Sequence, residues 1–522
     1  MAAAPGPSVE TVALRHGREG LLSAMALAVL VTVLTLDLGG RELWTDEVYS
    51  LQAGLQPLHI SAGDASHPPG YYTLLHYWLK LGQSDGWLRA FSVPWAVLAW
   101  LLCGLLAGES GLRREGLVAQ WLMALSPLVA LYFRLGRYYS LATAATMLAL
   151  YLLVRLARRP TRGGVVALGL SLAAVGYVDY VAAAVVLLAV LVPVTGLAWR
   201  RNWTALRPLL CACLAALALS LPIGLRLLCD VGTVAAIAAD PLAKSLWGLG
   251  VKLGFVLYAL ATGECIDPWR WWVSLPAVGL TAGLLLAGTV SLWRLGFWPR
   301  LMALLFPLNV LVAALAMSTV AANIPPNRVM SLSLPTMPLA FLALARGMLG
   351  PRGRWSAPAM LGLLIVFYTY GLANYFKRQQ LLNPGYAPPW RQVAALIQEH
   401  EQPGDTIWLY DEGFPSYYAG AAPVLRPDQM ELALAQMAAG TYTSRGRIWL
   451  IARDRGATGP LDQTQEARRQ LLAAGWRETP FSVMPRSPQE QRMRTLVLRR
   501  PAWDAYVKVY LMERWKPGSS EP

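Results

Sequence analysis

The chain alternates long apolar runs with short polar loops. The runs occupy about 21–37, 87–108, 116–133, 139–157, 163–179, 181–198, 208–229, 271–292, 301–320, 331–348 and 355–374. Each comes near the roughly 20 residues a helix needs to cross a hydrocarbon core. A helix also satisfies its own backbone polar groups, as lipid requires. The pattern therefore predicts about eleven membrane-spanning helices. The first run lacks a small-residue cleavage site and many spans follow it, so it reads as a retained helix and not a signal peptide. Loop 230–270 reads as partly helical, and Tyr71 to Leu81 as an amphipathic stretch.

Beyond Tyr375 the pattern changes. Charges of both signs become frequent and apolar runs shorten. Asp405 to Tyr410, Arg447 to Ala452 and Thr495 to Leu498 read as buried strands, with helices at 390–400, 428–439 and 463–474. Pro403-Gly404 and Gly475 mark turns. The expected organisation is an α-helical polytopic membrane domain, 1–380, and a small α/β extracytoplasmic domain, 381–522. The latter shows no glycine-rich phosphate loop and is given no chemistry.

Composition agrees. Hydrophobic residues make up 56% of the chain and charged residues 14%, against about 25% charged in soluble domains. The net charge of +15 sits largely in interhelical loops, as the positive-inside rule expects. No nucleic-acid-binding motif accompanies it, so nucleic acid is excluded as a partner. Arg15/Arg18, Arg113/Arg114, Arg158/Arg159, Arg200/Arg201, Arg294/Arg300 and Arg352/Arg354 fall on alternate loops. That places the N-terminus inside, the C-terminus outside, and loops 38–86, 134–138, 179–180, 230–270 and 321–330 together on the outer face. Cys211 and Cys213 have no partner pair at metal-ligand spacing. Cys229 and Cys265 flank one long loop and could pair.

Chemistry concentrates on that outer face. Asp46 and Glu47 follow the first span within Trp44-Thr45-Asp46-Glu47-Val48-Tyr49, on an expected loop. A carboxylate at a membrane surface can act as a general base or hold a divalent metal. Adjacent side chains diverge, so one is expected to be catalytic and the other structural or a second ligand. His67 precedes the rigid turn Pro68-Pro69-Gly70. It reads as a metal ligand, a donor to a phosphate, or a turn histidine. Arg134, Arg137, Tyr138 and Tyr139 lie at the outer end of a helix pair, with Arg328 on a later outer loop. Their guanidinium forks suit phosphate oxygens, although helix-end arginines also snorkel. Asp179 reads as a turn residue, Lys252 as a loop lysine, and Glu264 and Asp267 as solvated loop charges.

These motifs, taken in order, carry a resemblance. Trp44-x-Asp46-Glu47, His67-Pro68-Pro69-Gly70-Tyr71-Tyr72, Arg89-Ala-Phe-Ser, Arg134-Leu-Gly-Arg137-Tyr138-Tyr139 and Pro326-Asn-Arg328 resemble the bacterial branch of glycosyltransferase family 39. That family contains protein O-mannosyltransferases and the lipid A aminoarabinose transferase. The resemblance covers about residues 20–400. It implies a GT-C fold in the bacterial inner (plasma) membrane. It also implies inverting transfer of a sugar from a polyprenyl-phosphate donor to a lipid, glycan or protein acceptor at the outer face. By it, Asp46 is the catalytic base with Glu47 beside it. Arg134, Arg137, Tyr138 and Arg328 hold the donor phosphate, the prenyl chain lies in a groove between spans, and membrane lipids are further partners. His67 and Tyr139 complete the site. The MIR-type module of eukaryotic protein mannosyltransferases is missing, which counts against a protein acceptor. No cofactor is certain, and a divalent metal stays open. The alternatives are a transporter or flippase of lipid-linked sugar, and a non-catalytic scaffold. A transporter calls for broken or polar helices near the bilayer midplane.

Overall fold

The computed structural model describes residues 9–56, 67–235, 246–319, 326–350, 357–409, 413–439, 446–453, 463–498 and 503–514. The chain parts into two compact units. One joins Met1–Gly40 to Tyr49–Leu382, and the other joins Arg41–Val48 to Asn383–Pro522.

The first unit is helical. Its elements in order are α1 (Val9–Thr35), α2 (Thr45–Leu55), α3 (Gly70–Leu79), α4 (Asp85–Ala90), α5 (Ser92–Glu109) and α6 (Arg113–Leu125). There follow α7 (Pro127–Phe133), α8 (Tyr139–Arg158), α9 (Arg162–Val178), α10 (Tyr180–Trp199), α11 (Trp203–Ala235) and α12 (Leu246–Thr262). The set closes with α13 (Trp271–Trp293), α14 (Phe297–Thr319), α15 (Pro326–Ser333), α16 (Met337–Leu349) and α17 (Ala357–Phe376). Among the described residues nine helices are long and apolar enough to cross a membrane, or ten if α6 and α7 count as one bent span. The remaining expected span, 163–179, is α9, an apolar helix whose 17 residues stand at the lower end of the length that crosses a bilayer. The α6–α7 pair bends by 65°. Ser126 is extended there because it precedes Pro127.

Three expectations need correction. Asp46 and Glu47 do not lie on a loop but open helix α2. Lys252 is not a loop lysine but a buried residue inside α12. Glu264 is not a solvated charge, being 1% exposed. The Asn323 turn and the Arg352–Arg354 turn fall largely outside the described residues. So does the Cys229 side chain, and with it any pairing with Cys265.

Helix crossings are held by small residues and buried polar pairs. Where α13 meets α16, a Cβ at Gly288 would stand 1.7 Å from the Ala343 carbonyl oxygen. Trp100 of α5 donates its indole N–H to the Gln120 carbonyl of α6 at 2.9 Å. Arg346 of α16 bonds Glu115 of α6 at 2.7 Å.

The second unit contains α18 (Trp390–His400), β1 (Thr406–Leu409), β2 (Val424–Leu425), α19 (Pro427–Ala438), β3 (Ile448–Arg453), α20 (Gln463–Ala473), β4 (Trp476–Pro485), α21 (Pro488–Leu498) and β5 (Ala505–Arg514). The sheet order is β2-β1-β3-β5-β4, parallel between β2, β1 and β3 and antiparallel for β5 and β4. Alternate residues of β3 face opposite cores. Trp449 and Ile451 join Trp390, Ile397 and Phe414 on one side. Ile448, Leu450 and Ala452 join Met430 and Leu471 on the other. A strand covered on both faces reads as one continuous apolar run, which is why β1 and β3 were legible. Thr495 to Leu498 is instead the end of α21. Strands β2, β4 and β5 were not anticipated.

Two predictions follow from this packing. Gly288→Val drives a side chain into the α16 backbone. It should cost about 1–3 kcal/mol or more, seen as a lower unfolding midpoint of the detergent-solubilised protein; an unchanged midpoint would show that the crossing can open. In the second unit, burial alone would push the Asp405 carboxyl up. Hydrogen bonds from Arg447, the Gln402 amide and Trp449 outweigh it and hold the group below its usual range. A depressed carboxyl stabilises above its unfolded pKa of about 4 and loses that contribution as pH falls through its folded value. Asp405→Ala should cost about 1–3 kcal/mol, because the Gln402 amide and the Trp449 indole lose their acceptor, while Arg447 keeps the His400 carbonyl and Glu513. It should also flatten the acid limb of amide-exchange protection in β1 and β3. Acid sensitivity equal to wild type would contradict the assignment.

Candidate active site

The Trp44–Tyr49 motif begins in the second unit. Segment Arg41–Val48 is held there by contacts that sequence distance conceals. The Leu43 amide donates to the Tyr417 hydroxyl at 2.6 Å. Trp44 meets Tyr386 edge-on with ring centroids 4.8 Å apart. Arg453 donates to the Thr45 hydroxyl at 3.0 Å. Within the motif the two acids divide their roles. Glu47 is fully buried, and its carboxylate accepts from the Trp44 amide at 3.0 Å. This is the backward half of a capping box, in which the third helical residue satisfies the N-cap N–H. Asp46, one residue earlier in that turn, is 9% exposed. Its carboxylate sits where a helix N-terminus favours negative charge. Four residues on, α2 carries Ser50, whose hydroxyl accepts from Arg137 at 3.0 Å.

In the first unit, four helix N-termini meet. His67 precedes α3, Tyr138 caps α8, Asp179 caps α10, and Arg328 lies in the first turn of α15. The His67 and Tyr138 rings meet edge-on at 4.9 Å. The Arg137 guanidinium stands 5.5 Å from the Tyr138 ring centre, and Tyr139 is 4.9 Å from Tyr138. Burial pushes the Tyr138 hydroxyl well above its usual range, and the charge of Asp179 adds to this; Arg137 and Arg328 oppose it. Those couplings place the charges of Asp179, Arg137 and Arg328 around one phenol. Close approach at α3 needs a glycine, since a Cβ at Gly70 would stand 2.5 Å from the Tyr177 carbonyl oxygen.

Asp179 is the residue that sequence reading passed over. It is 3% exposed, and its Oδ1 accepts from the Ala182 amide at 2.8 Å. Its Oδ2 is buried with no hydrogen-bond partner among the described residues. Burial raises its carboxyl to about 6, opposed by the Ala182 amide and by His67. The available signal was its position on loop 179–180, among the expected outer-face loops.

Arg134 has a different setting. It donates to the Leu36 carbonyl and faces the Tyr375 and Phe376 rings at 5.3 and 5.0 Å. Among the described residues no three His, Cys, Asp or Glu side chains gather as a metal site.

Glu264 lies behind the cluster along a line of aromatic contacts. Tyr132 meets Tyr139 at 5.6 Å and donates its hydroxyl to Glu264 Oε1 at 2.5 Å. Burial pushes the Glu264 carboxyl up to about 8, and the Tyr132 bond opposes that shift. No sequence period marks this residue. Unfolded glutamate loses its proton near pH 4, whereas folded Glu264 keeps it to about 8. Between these values folding takes up about one proton, so stability falls as pH rises. Glu264→Gln stays neutral throughout. Its unfolding midpoint should gain on wild type between about pH 5 and pH 8. Parallel pH dependence in the two proteins would mean that Glu264 is ionised in the fold.

No protein-family model and no curated protein matches the chain. Solved structures do. ArnT from Cupriavidus metallidurans bound to undecaprenyl phosphate aligns with a TM-score of 0.51 at 13% identity, covering 96% of this chain and 99% of that one. Its apo state gives 0.50 at 14% identity, covering 96% and 98%. The apo oligosaccharyltransferase of Archaeoglobus fulgidus gives 0.51 at 13% identity, covering 94% and 88%. At such identities the likeness concerns architecture, and this chain has the GT-C fold of membrane glycosyltransferases.

Proposed function

We propose that the protein is an integral-membrane glycosyltransferase of the family 39 kind. It moves a sugar from a polyprenyl-phosphate donor to an acceptor at the outer face of the membrane, with inversion. The observation that carries this reading is the meeting of four helix N-termini with Arg137, Arg328, His67 and Tyr138. Helix N-termini offer unpaired N–H groups and positive dipole ends to an anion. Arginine adds a planar fork matched to phosphate oxygens. The neighbour with undecaprenyl phosphate bound shares the fold and lends support.

In this mechanism Asp46 takes the proton of an acceptor hydroxyl or amine. The freed lone pair forms a bond to the anomeric carbon as the carbon–oxygen bond to phosphate breaks. The leaving lipid phosphate keeps that electron pair. Arg137, Arg328 and Tyr138 stabilise the charge it gains, in a water-poor setting where such contacts are strongest. Glu47 fixes the first turn of α2 and so the aim of Asp46. Arg134 supports the helix ends around Tyr375 and Phe376.

The test is a transfer assay in membranes with a panel of radiolabelled polyprenyl-phosphate sugars. Asp46→Asn keeps shape and removes the base. It should lower transfer by about 10²–10⁴-fold with donor binding retained. Arg137→Gln should weaken donor binding and transfer together. Undiminished transfer by Asp46→Asn would move the base elsewhere. Donor binding without transfer from any donor would favour the flippase reading, to which the bent α6–α7 pair would then be relevant.

A further inference from the structure

A second basic site lies at the other end of α9. Its 17 residues put about 25 Å between Arg162 and Asp179. Helices α9 and α11 run parallel. A Cβ at Gly169 would meet the Ala212 carbonyl oxygen and Ala215 Cβ at 3.2 Å, and Tyr177 bonds the Leu219 carbonyl at 3.1 Å one to two turns further along both. Their N-termini therefore lie side by side. Between them is a cavity of about 510 Å³, lined by Arg162 and Val165 of α9 and by Trp203, Thr204, Arg207, Pro208 and Cys211 of α11.

The chemistry of this cavity is one-sided. From Arg155 to Val178 and from Tyr180 to Cys229 the sequence holds no Asp or Glu. Neither Arg162 nor Arg207 has an ion-pair or hydrogen-bond partner among the described residues. Both helices direct their positive dipole ends to the same place. Thr161 and Asn202 each cap one amide, of Gly164 and Ala205, and the Trp203 amide donates to the Arg201 carbonyl, which leaves the amides of Arg162, Gly163 and Thr204 for a ligand. Pro208 has no N–H, so the Thr204 carbonyl lacks its helical donor and can accept from a hydroxyl. The surroundings suit a lipid and not a soluble anion. Trp199 and Trp203 are 91% and 56% exposed at this level, as in an interfacial aromatic belt. Below them Val166 and Leu170 of α9 and Leu210 and Leu214 of α11 present exposed apolar surface.

We propose that this cavity binds the head group of an anionic phospholipid. The phosphate sits between Arg162 and Arg207 at the paired helix N-termini, and the acyl chains follow the apolar surface of α9 and α11. Basic pockets between membrane helices are suited to such head groups. A head group that carries a hydroxyl, as in phosphatidylglycerol, also meets the Thr204 carbonyl.

The experiment is native mass spectrometry of the full-length protein in a non-ionic detergent, titrated with phosphatidylglycerol or phosphatidylcholine. Phosphatidylglycerol should bind on the order of tenfold more tightly, and Arg162→Gln with Arg207→Gln should abolish that preference. Arg200→Gln with Arg201→Gln removes the same charge from a neighbouring loop and should leave the preference intact. Cys211→Phe keeps both arginines but fills the cavity, and should weaken binding without lowering the unfolding midpoint. Millimolar glycerol 3-phosphate should not displace the lipid. Equal binding of the two lipids, equal loss in both double variants, or displacement by the soluble phosphate would each overturn the proposal.

Discussion

The structure of the membrane unit depends on where its helix N-termini are placed. A helix in lipid satisfies its interior backbone but leaves its first amides unpaired. Those amides need side-chain caps, water or a ligand. At Tyr138 the chain brings four such ends together and adds two arginines and a histidine. Positive potential gathered in a buried place is costly until an anion arrives. A site of this kind selects its ligand by charge before shape. The same arrangement appears in smaller form where α9 and α11 begin.

Much of this was legible in the sequence, for a physical reason. Lipid forces long apolar runs, so spans announce themselves whatever their packing. The exceptions were local. Pro127 split one expected span into α6 and α7, and α9 came out at 17 residues. In the second unit the buried strands β1 and β3 were read correctly because both faces are covered. Strand β4 was missed because it lies at the sheet edge. It pairs only with β5 and carries Pro480 and Pro485, which an edge tolerates and a central strand does not. Thr495 to Leu498 is a four-residue apolar run, too short to show whether its period is that of a strand or a helix.

The candidate residues divide in the same way. His67, Arg137, Tyr138 and Arg328 were readable because arginine, tyrosine and histidine stand out beside apolar runs. Ser50, Asp179 and Glu264 were not, since what distinguishes them is contact. Ser50 accepts from Arg137 across 87 positions, and Tyr132 reaches Glu264 across 132. The docking of Leu43 on Tyr417 spans 374. No local pattern encodes such distances. Residue type said which side chains can do chemistry, and the fold supplied their neighbours.

Asp179 poses the sharpest question, because a carboxylate in an anion site should weaken it. Its placement resolves the conflict. One oxygen is committed to the α10 cap, while burial and the surrounding charges set it near the boundary between ionised and neutral, at about 6. Its negative charge shares the surroundings of the Tyr138 phenol with the Arg137 and Arg328 guanidiniums. An arriving phosphate competes for those cations and raises the cost of keeping Asp179 ionised. Under the proposed function, proton uptake by Asp179 would then accompany phosphate binding, and its loss would accompany release. If the cluster holds a lipid phosphate as proposed, the carboxylate would favour its release after transfer, a balance that two arginines and four helix ends alone would tilt toward retention.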